Sequence, residues 1–202
     1  MKKRQVSNLL ALAVLSYLSR QPMHPYELSK TLRNHGDARS IKFNHGSLYM
    51  VVQQLAKAGF VAEQEVNRDG ARPERTVYQI TDAGRAELRD WLRELVGEPQ
   101  HEYPAFVSAL SLVAALTPNE VVPLLRARLV GLAEQRRAAQ EVIDTSEAQG
   151  LPPLFLIEEV YRLSLLEAES VFVTEFITKI TDPEKGWGPM WAAGHGAEYV
   201  PE

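Results

Sequence analysis

The chain of 202 residues is 45% hydrophobic and 24% charged, a composition typical of a folded globular protein and not of a disordered one. It contains no cysteine, which excludes disulfides, thiol catalysis and thiolate metal sites. Its net charge of −4 gives by itself no sign of a phosphate-bearing partner.

The charge is divided unevenly between the two halves. Residues 1–97 contain 15 Lys and Arg against 10 Asp and Glu, whereas residues 98–202 contain 7 against 16. Such asymmetry is typical of a polyanion-binding end joined to a separate acidic interaction end. Chance variation of surface charge is the alternative explanation.

The N-terminus begins like a secretory signal, with Lys2, Lys3 and Arg4 before an apolar run at 9–15. Polar residues interrupt this run, and no small-residue cleavage site follows it. No stretch reaches the roughly 18 apolar residues of a membrane span. We therefore expect a cytoplasmic protein.

The first half is predicted to begin with three helices. Residues 8–18 are apolar on most sides, which is typical of a buried helix. A second helix is predicted for 26–34, with Tyr26 on or near its apolar side. A third is predicted for 46–58, where a stripe of Leu and Val alternates with polar residues, and Gly59 ends it.

A β-hairpin and a fourth helix are predicted to follow. Residues 60–66 and 74–80 favour strands and flank a turn-rich tip. Thr81 or Asp82 can cap a helix that continues to Gly97. Three helices followed by a hairpin are the order of elements in a winged helix-turn-helix, in which one helix enters a DNA major groove.

The second half is predicted to be helical. The sequence 117–120 forms a capping box with proline at the first helical position. The helix that starts there carries an apolar heptad seam with one polar member, a pattern typical of helix pairing. A Pro-rich break at 150–153 precedes a last helix, and the Pro- and Gly-containing residues 182–202 are expected to form a loosely ordered tail.

The predicted fold is therefore mainly α with a small β-hairpin. It consists of an N-terminal winged helix-turn-helix at 1–97, a C-terminal helical dimerisation domain at 98–181 and the tail at 182–202.

Three stretches in the first half also carry a resemblance to a known family. They are Pro22-Met23-His24-Pro25-Tyr26-Glu27-Leu28, then Gly46-Ser47-Leu48-Tyr49 with Leu55 and Gly59-Phe60-Val61, then Arg75-Thr76-Val77-Tyr78-Gln79-Ile80-Thr81 with Gly84 and Leu88. In this order and spacing they resemble the PadR family of bacterial regulators over roughly residues 8–92. The resemblance implies the larger subfamily: a winged helix-turn-helix repressor with a helical dimerisation region.

The third helix corresponds to the recognition helix, whose N-terminal residues face base edges. Asn and Gln can pair with adenine, and Met can contact a thymine methyl group. The candidates for reading bases are Asn44, His45, Ser47, Met50 and Gln53. Alternatively, the first two only shape the turn and cap the helix.

Cations on or beside the wing are expected to contact phosphates, which gives affinity without sequence preference. The candidates are Lys42, Tyr49, Arg68, Arg72 and Arg75, together with the basic start of the chain. Solvated surface charge is the alternative for the cations, and helix packing is the alternative for the tyrosine.

The heptad seam and the last helix carry more apolar surface than one short chain is expected to bury, which predicts a homodimer on a palindromic site. The interface candidates are Val122, Leu125, Leu129, Leu132, Arg136, Ala139, Ile143, Val171 and Phe172. Packing within one chain is the alternative.

The resemblance further implies a small-molecule effector that binds near the junction of the two halves, where Trp91, Tyr103 and Phe106 are candidate pocket residues or else core residues. The five histidines are scattered, and the chain has no phosphate-binding loop or nucleophile elbow. We therefore expect no enzyme, metal or cofactor. A winged-helix protein–protein adaptor without DNA binding and a MarR-like regulator remain alternative functions.

Overall fold

The computed structural model describes residues 4–36, 39–64 and 76–200. These residues are mainly α-helical with a two-stranded antiparallel sheet, as predicted. None of the described helices is both long enough and apolar enough to cross a membrane. The elements are α1 (Leu9–Leu18), α2 (Pro25–Asn34), α3 (His45–Lys57), β1 (Val61–Gln64), β2 (Val77–Ile80), α4 (Asp82–Gly97), α5 (Ala105–Ser111), α6 (Pro118–Ala148), α7 (Ile157–Thr181) and α8 (Gly188–Gly194).

The chain divides into two compact units, Met1–His101 and Glu102–Glu202, which we call the N-terminal unit and the C-terminal unit. Helix α1 is central to the core of the N-terminal unit. Six of its ten residues are buried, because it is apolar on nearly every side. Asn8 starts it by accepting the Leu10 N–H at 2.9 Å, and α3, α4 and β2 pack on it.

The start of α2 is fixed by a reciprocal cap. The His24 ring accepts the Tyr26 N–H at 3.1 Å, while the Glu27 carboxylate accepts the His24 N–H at 3.2 Å. Pro25 occupies the first turn, where a missing N–H costs nothing. Gly59, at φ +76°, ends α3 in the left-handed conformation.

The hairpin after α3 pairs Val61 with Ile80 and Gln64 with Val77. The two strands are shorter than predicted and lie at the end of the hairpin away from its tip. Residues 65–75, which include the predicted tip, lie outside the described residues. The Thr81 hydroxyl then accepts a backbone N–H and starts α4, as predicted.

Glycine is required where α4 approaches the base of the hairpin. A Cβ on Gly84 would lie 2.0 Å from the Phe60 carbonyl oxygen and 2.8 Å from the Ile80 side chain. Since a backbone carbonyl cannot move aside as a flexible side chain does, only glycine allows helix and hairpin to pack this closely.

The chain before α1 is held on α4 by a buried arginine. The Arg4 guanidinium forms ion pairs with Glu87 (2.7 Å), Asp90 (3.2 Å) and Glu94, and lies 5.2 Å from the centre of the Trp91 ring. Burial acts to lower the pKa of Arg4, but its hydrogen bonds to Glu87 and Glu94 outweigh burial and raise it. The expectation that Arg4 contacts phosphate is wrong, because carboxylates surround it.

In the C-terminal unit, α6 and α7 pack along one another. Helix α6 starts with the predicted capping box, in which the Thr117 N–H and hydroxyl donate to the Glu120 carboxylate at 2.9 and 2.7 Å. The buried centre of this unit consists of Val121, Val122, Leu125, Val173 and Ile180.

The segment after α7 is ordered, contrary to the expectation of a loose tail. It contains α8, and its residues Trp191 and Tyr199 pack on the core of the C-terminal unit. The Asn119 side chain donates to the Glu198 carbonyl at 2.9 Å and accepts the Val200 N–H at 3.1 Å. The apolar area of the aromatic rings outweighs the turn-forming Pro and Gly residues on which the expectation rested.

Candidate nucleic-acid interface

Helix α3 has one face in the core and the other in solvent. Met50 is 59% exposed, and Gln53, one turn further, is also exposed. The helix is therefore fixed from inside while these side chains point outward. Its buried face consists of Leu48, Val51, Val52 and Leu55.

The start of α3 is built by Asn44 and Ser47. Asn44 Oδ1 accepts the Ser47 N–H at 2.8 Å, and Ser47 Oγ accepts the Asn44 N–H at 2.9 Å. This is the capping role that the sequence left open as an alternative. While it caps the helix, the Asn44 side-chain oxygen accepts the Ser47 N–H, which fixes the orientation of the amide at the start of the helix.

An aromatic cluster joins the starts of α2 and α3. The His45 ring centre lies 6.1 Å from that of Tyr26 and 5.2 Å from that of Tyr49, and His45 Nδ1 lies 3.3 Å from the Ser29 hydroxyl. The His24 ring is 6.4 Å from that of Tyr49. Tyr26 and Tyr49 are 58% and 37% exposed, so both rings are accessible beside α3.

Tyr26 is a surface residue that the sequence pattern misassigned. We predicted it on the apolar side of α2 with Leu28, but Leu28 is fully buried and Tyr26 is mostly exposed. A signal was present, because Tyr26 and Leu28 are two residues apart, which places them on opposite sides of a helix with about 3.6 residues per turn.

The described cations near α3 are on the surface. Lys42 is exposed in the segment before the helix, and Lys57 is exposed in its last turn. Arg68, Arg72 and Arg75, the predicted phosphate contacts of the wing, lie outside the described residues. Lys2 and Lys3 also lie outside the described residues. Apart from Arg4, the predicted phosphate contacts that the structure describes are Lys42 and Tyr49, and both are on the exposed surface.

Residues 14–90, from within α1 to within α4, match the family described as the transcriptional regulator PadR-like family. These residues of the N-terminal unit therefore form a PadR-like domain. The match confirms the resemblance and favours it over the MarR-like alternative. A curated relative, the negative transcriptional regulator PadR of Bacillus subtilis (strain 168), is 25% identical over 122 residues, which are 60% of this chain and 65% of the relative. The alignment thus spans less than two thirds of the relative's length.

Solved structures of Bacillus subtilis PadR share the fold of this chain. The structure of PadR in complex with operator DNA has a TM-score of 0.62 at 20% identity, covering 83% of this chain and 99% of that one. The structure in complex with p-coumaric acid has a TM-score of 0.67 at 17% identity, covering 88% and 97%. At these identities the likeness concerns the fold.

Most of the predicted dimer seam is used inside the C-terminal unit. Leu129 is half-buried, and Arg136 forms a surface ion pair with Glu167. Val171 and Phe172 are 49% and 46% exposed. The other five members are buried within the C-terminal unit, because α6 and α7 pack along one another. These five are Val122, Leu125, Leu132, Ala139 and Ile143.

The three predicted ligand-pocket residues have different surroundings. Trp91 is 1% exposed in the core of the N-terminal unit. Tyr103, in the C-terminal unit, is 85% exposed. Phe106 is half-buried, with the Arg128 guanidinium 3.5 Å from its ring centre and the Phe172 ring at 6.4 Å. Trp91 is therefore a core residue, which is the alternative that the sequence left open.

Proposed function

We propose that the protein is a DNA-binding transcriptional regulator that places the exposed face of α3 in the major groove of an operator. The observation that carries this proposal is the division of α3 into a fully buried face and an open one with Met50 and Gln53. A groove about 12 Å wide admits one helix. A helix fixed on its inner side loses little freedom when its outer side chains bind.

The side chains of α3 have different proposed roles. In a bidentate pair with adenine, the Gln53 amide donates to N7 and accepts from the N6 amino group. Met50 can contact a thymine methyl group. Asn44 and Ser47 hold the start of the helix through their cap. His45 keeps the neighbouring tyrosine rings in place between α2 and α3.

Phosphate contacts are proposed around the start of this helix. Lys42 supplies a positive charge, and the exposed Tyr26 and Tyr49 supply hydroxyl donors. Such contacts set the orientation of the protein on the duplex without reading sequence. The wing arginines Arg68, Arg72 and Arg75 are proposed to extend them.

The comparisons support the role and the partner. The curated relative is named a negative transcriptional regulator, which supports repression. A structural neighbour was solved with operator DNA, which supports duplex DNA as the ligand. A chromosomal target also agrees with the expected cytoplasmic location.

A homodimer on a palindromic operator is the second part of the proposal. Helix α7 leaves Ile157, Tyr161, Leu165 and Phe172 exposed by 63%, 65%, 53% and 46%, at spacings that place them on one side of the helix. An apolar face of this kind is typical of an interface, and a second copy is the simplest partner. We therefore place the interface on α7, where Val171 and Phe172 were predicted, rather than on the buried seam.

Release from DNA by a small-molecule effector is the third part. A structural neighbour was solved with p-coumaric acid, which supports an effector as a general feature of such regulators. Of the predicted pocket residues, half-buried Phe106 in the C-terminal unit has the surroundings that suit an apolar ligand.

Footprinting on the duplex just upstream of the protein's own coding sequence tests the DNA-binding proposal. We expect a palindromic protected site, lost in the double variant Met50→Ala/Gln53→Ala. The control Gln140→Ala, on the exposed side of α6, should keep the protection. The logarithm of the affinity should fall steeply with the logarithm of the salt concentration. Absence of protection even at low salt would instead favour the protein–protein adaptor.

A further inference from the structure

The C-terminal unit contains an open groove of about 580 Å³ between α7, α8 and the turn Val113–Ala115. Its walls include Phe176, Trp187, Met190 and Trp191. A second cavity of about 290 Å³ adjoins it, shares the Phe176 and Trp187 walls, and is also lined by Lys179. The first volume alone falls within the range of about 300–1,000 Å³ that is usual for small-molecule sites.

The walls are a row of aromatic rings. The Phe176 ring centre lies 6.1 Å from that of Phe172, 6.3 Å from that of Trp187 and 6.5 Å from that of Trp191. Phe176 and Trp191 are nearly parallel, at 19°. Rings in this arrangement present faces and edges on which a flat ligand can stack.

Hydrogen bonds hold the groove open on the side of α8. The backbone N–H of Trp187 donates to the Lys179 carbonyl at 2.8 Å, which fixes the start of α8 against α7. His195 Nε2–H donates to the Ala114 carbonyl at 2.8 Å, which fixes its end. A site whose walls are already in place costs a ligand less ordering free energy.

The polar groups of the groove favour an acceptor-bearing ligand. Among the described residues that line the two cavities, Lys179 and His195 are the ionisable ones, and no carboxylate is present. Lys179 Nζ lies 5.9 Å from the Trp187 ring centre. The indole N–H of Trp191 is buried and has no hydrogen-bond partner among the described residues.

We propose that this groove binds a flat aromatic carboxylate of at least two fused rings, stacked on Trp187 and Phe176 with its carboxylate near Lys179. The proposal rests on the effector part of the proposed function and gives that effector a site and a chemical class. The site lies in the C-terminal unit at α8, so it differs from the pocket predicted from Trp91, Tyr103 and Phe106. Phe106 does not line it and contacts its aromatic row only through Phe172.

Titration of the full chain with 2-naphthoate, without DNA, tests the proposal. The three tryptophans give three indole N–H signals in a ¹H–¹⁵N NMR spectrum, and Trp91 in the N-terminal unit is an internal control. We expect saturable shifts of the Trp187 and Trp191 signals and none of Trp91. Shifts of Trp91 alone, or no saturable shift, would overturn the site.

Related probes and variants test the ligand class. 2-Naphthalenemethanol, which lacks the charge, should bind about threefold more weakly, and Lys179→Gln should remove that difference. Trp187→Leu should weaken the binding of 2-naphthoate by about fivefold. The controls Lys185→Gln and Tyr103→Leu, at exposed positions that do not line the groove, should bind as the wild type does. Equal binding of both probes to the wild type would refute the carboxylate preference.

The same samples separate this proposal from the DNA-binding one. Operator binding measured without ligand tests the regulator, whereas the titration without DNA tests the groove. If the chain protects its operator but leaves Trp187 and Trp191 unshifted, the groove proposal fails and the DNA-binding proposal stands. If both signals shift but no duplex binds, the reverse holds.

Discussion

The two units of the chain differ in what their exposed helices present. In the N-terminal unit, α3 exposes Met50, Gln53 and an aromatic cluster above a closed core. In the C-terminal unit, α7 exposes large apolar side chains such as Ile157 and Tyr161. The first surface suits a hydrated, hydrogen-bonding partner, and the second suits another apolar surface. This difference supports the proposal that the N-terminal unit recognises DNA and the C-terminal unit pairs with a second copy.

The largest effect is expected from breaking the apolar face of α7. The double variant Ile157→Asp/Tyr161→Asp places two charges where a second copy is proposed to pack, so we expect monomers in sedimentation equilibrium. Operator affinity should fall by about 1,000-fold, because two linked half-sites become independent. The control Leu112→Asp, also exposed but outside α7, should remain dimeric. A double variant that stays dimeric would move the interface away from α7.

The next largest effect is expected at Arg4, which stabilises only the N-terminal unit. Arg4→Ala leaves the buried carboxylates of Glu87 and Glu94 without a counter-charge and should cost about 3 kcal/mol of unfolding free energy. Urea denaturation followed by Trp91 fluorescence in a variant lacking Trp187 and Trp191 measures this loss. Arg89→Ala, at an exposed position of the same helix, should cost little. A loss of equal size in both variants would contradict the buried role of Arg4.

A smaller effect separates base reading from phosphate contact within the N-terminal unit. Gln53→Ala should reduce the binding free energy by about 1–3 kcal/mol through the loss of contact with one base pair. It should also relax the base preference at that position. Lys42→Ala should weaken binding to specific and unrelated duplexes alike and lower the salt slope by about one. Affinities for a set of single-base operator variants measure both. If Gln53→Ala lowered all affinities equally, its base-reading role would be refuted.

The smallest effect concerns the start of α6. Hydrogen bonds from the Thr117 N–H and hydroxyl lower the pKa of Glu120 below its ordinary value of 4.5. A lowered folded-state pKa stabilises the protein above the ordinary pKa, and this stabilisation is lost as the pH falls through the lowered one. The melting temperature of the wild type should therefore exceed that of Glu120→Gln at neutral pH. The difference should disappear as the pH falls through the lowered pKa of Glu120. Glu141→Gln, within α6, is the control; a gap independent of pH would contradict the cap's role.

Local signals predicted the elements and their ends. Thr81, Gly59 and the capping box at Thr117 are where the sequence placed them, because caps depend on groups within a few residues of each other. The hairpin was also predicted from a local signal, since two strand-favouring runs flank a turn-rich segment. The exposed face of α3 was also predictable, since Met50 and Gln53 lie off its apolar stripe.

Predictions failed where burial depends on distant parts of the chain. The heptad seam was assigned to a second copy, yet α7 of the same chain covers most of it. The Pro- and Gly-containing segment after α7 was expected to be loose, yet Trp191 and Tyr199 anchor it.

The sequence alone determined the helical segments before Asp182, the caps that start α4 and α6, and the two faces of α3, because hydrogen-bond caps and side-chain period are local properties. Only the tertiary structure decided what covers each apolar face and which aromatic residues meet around the groove. The physical reason is that burial is shared between elements far apart in the chain, so its outcome depends on how they pack together.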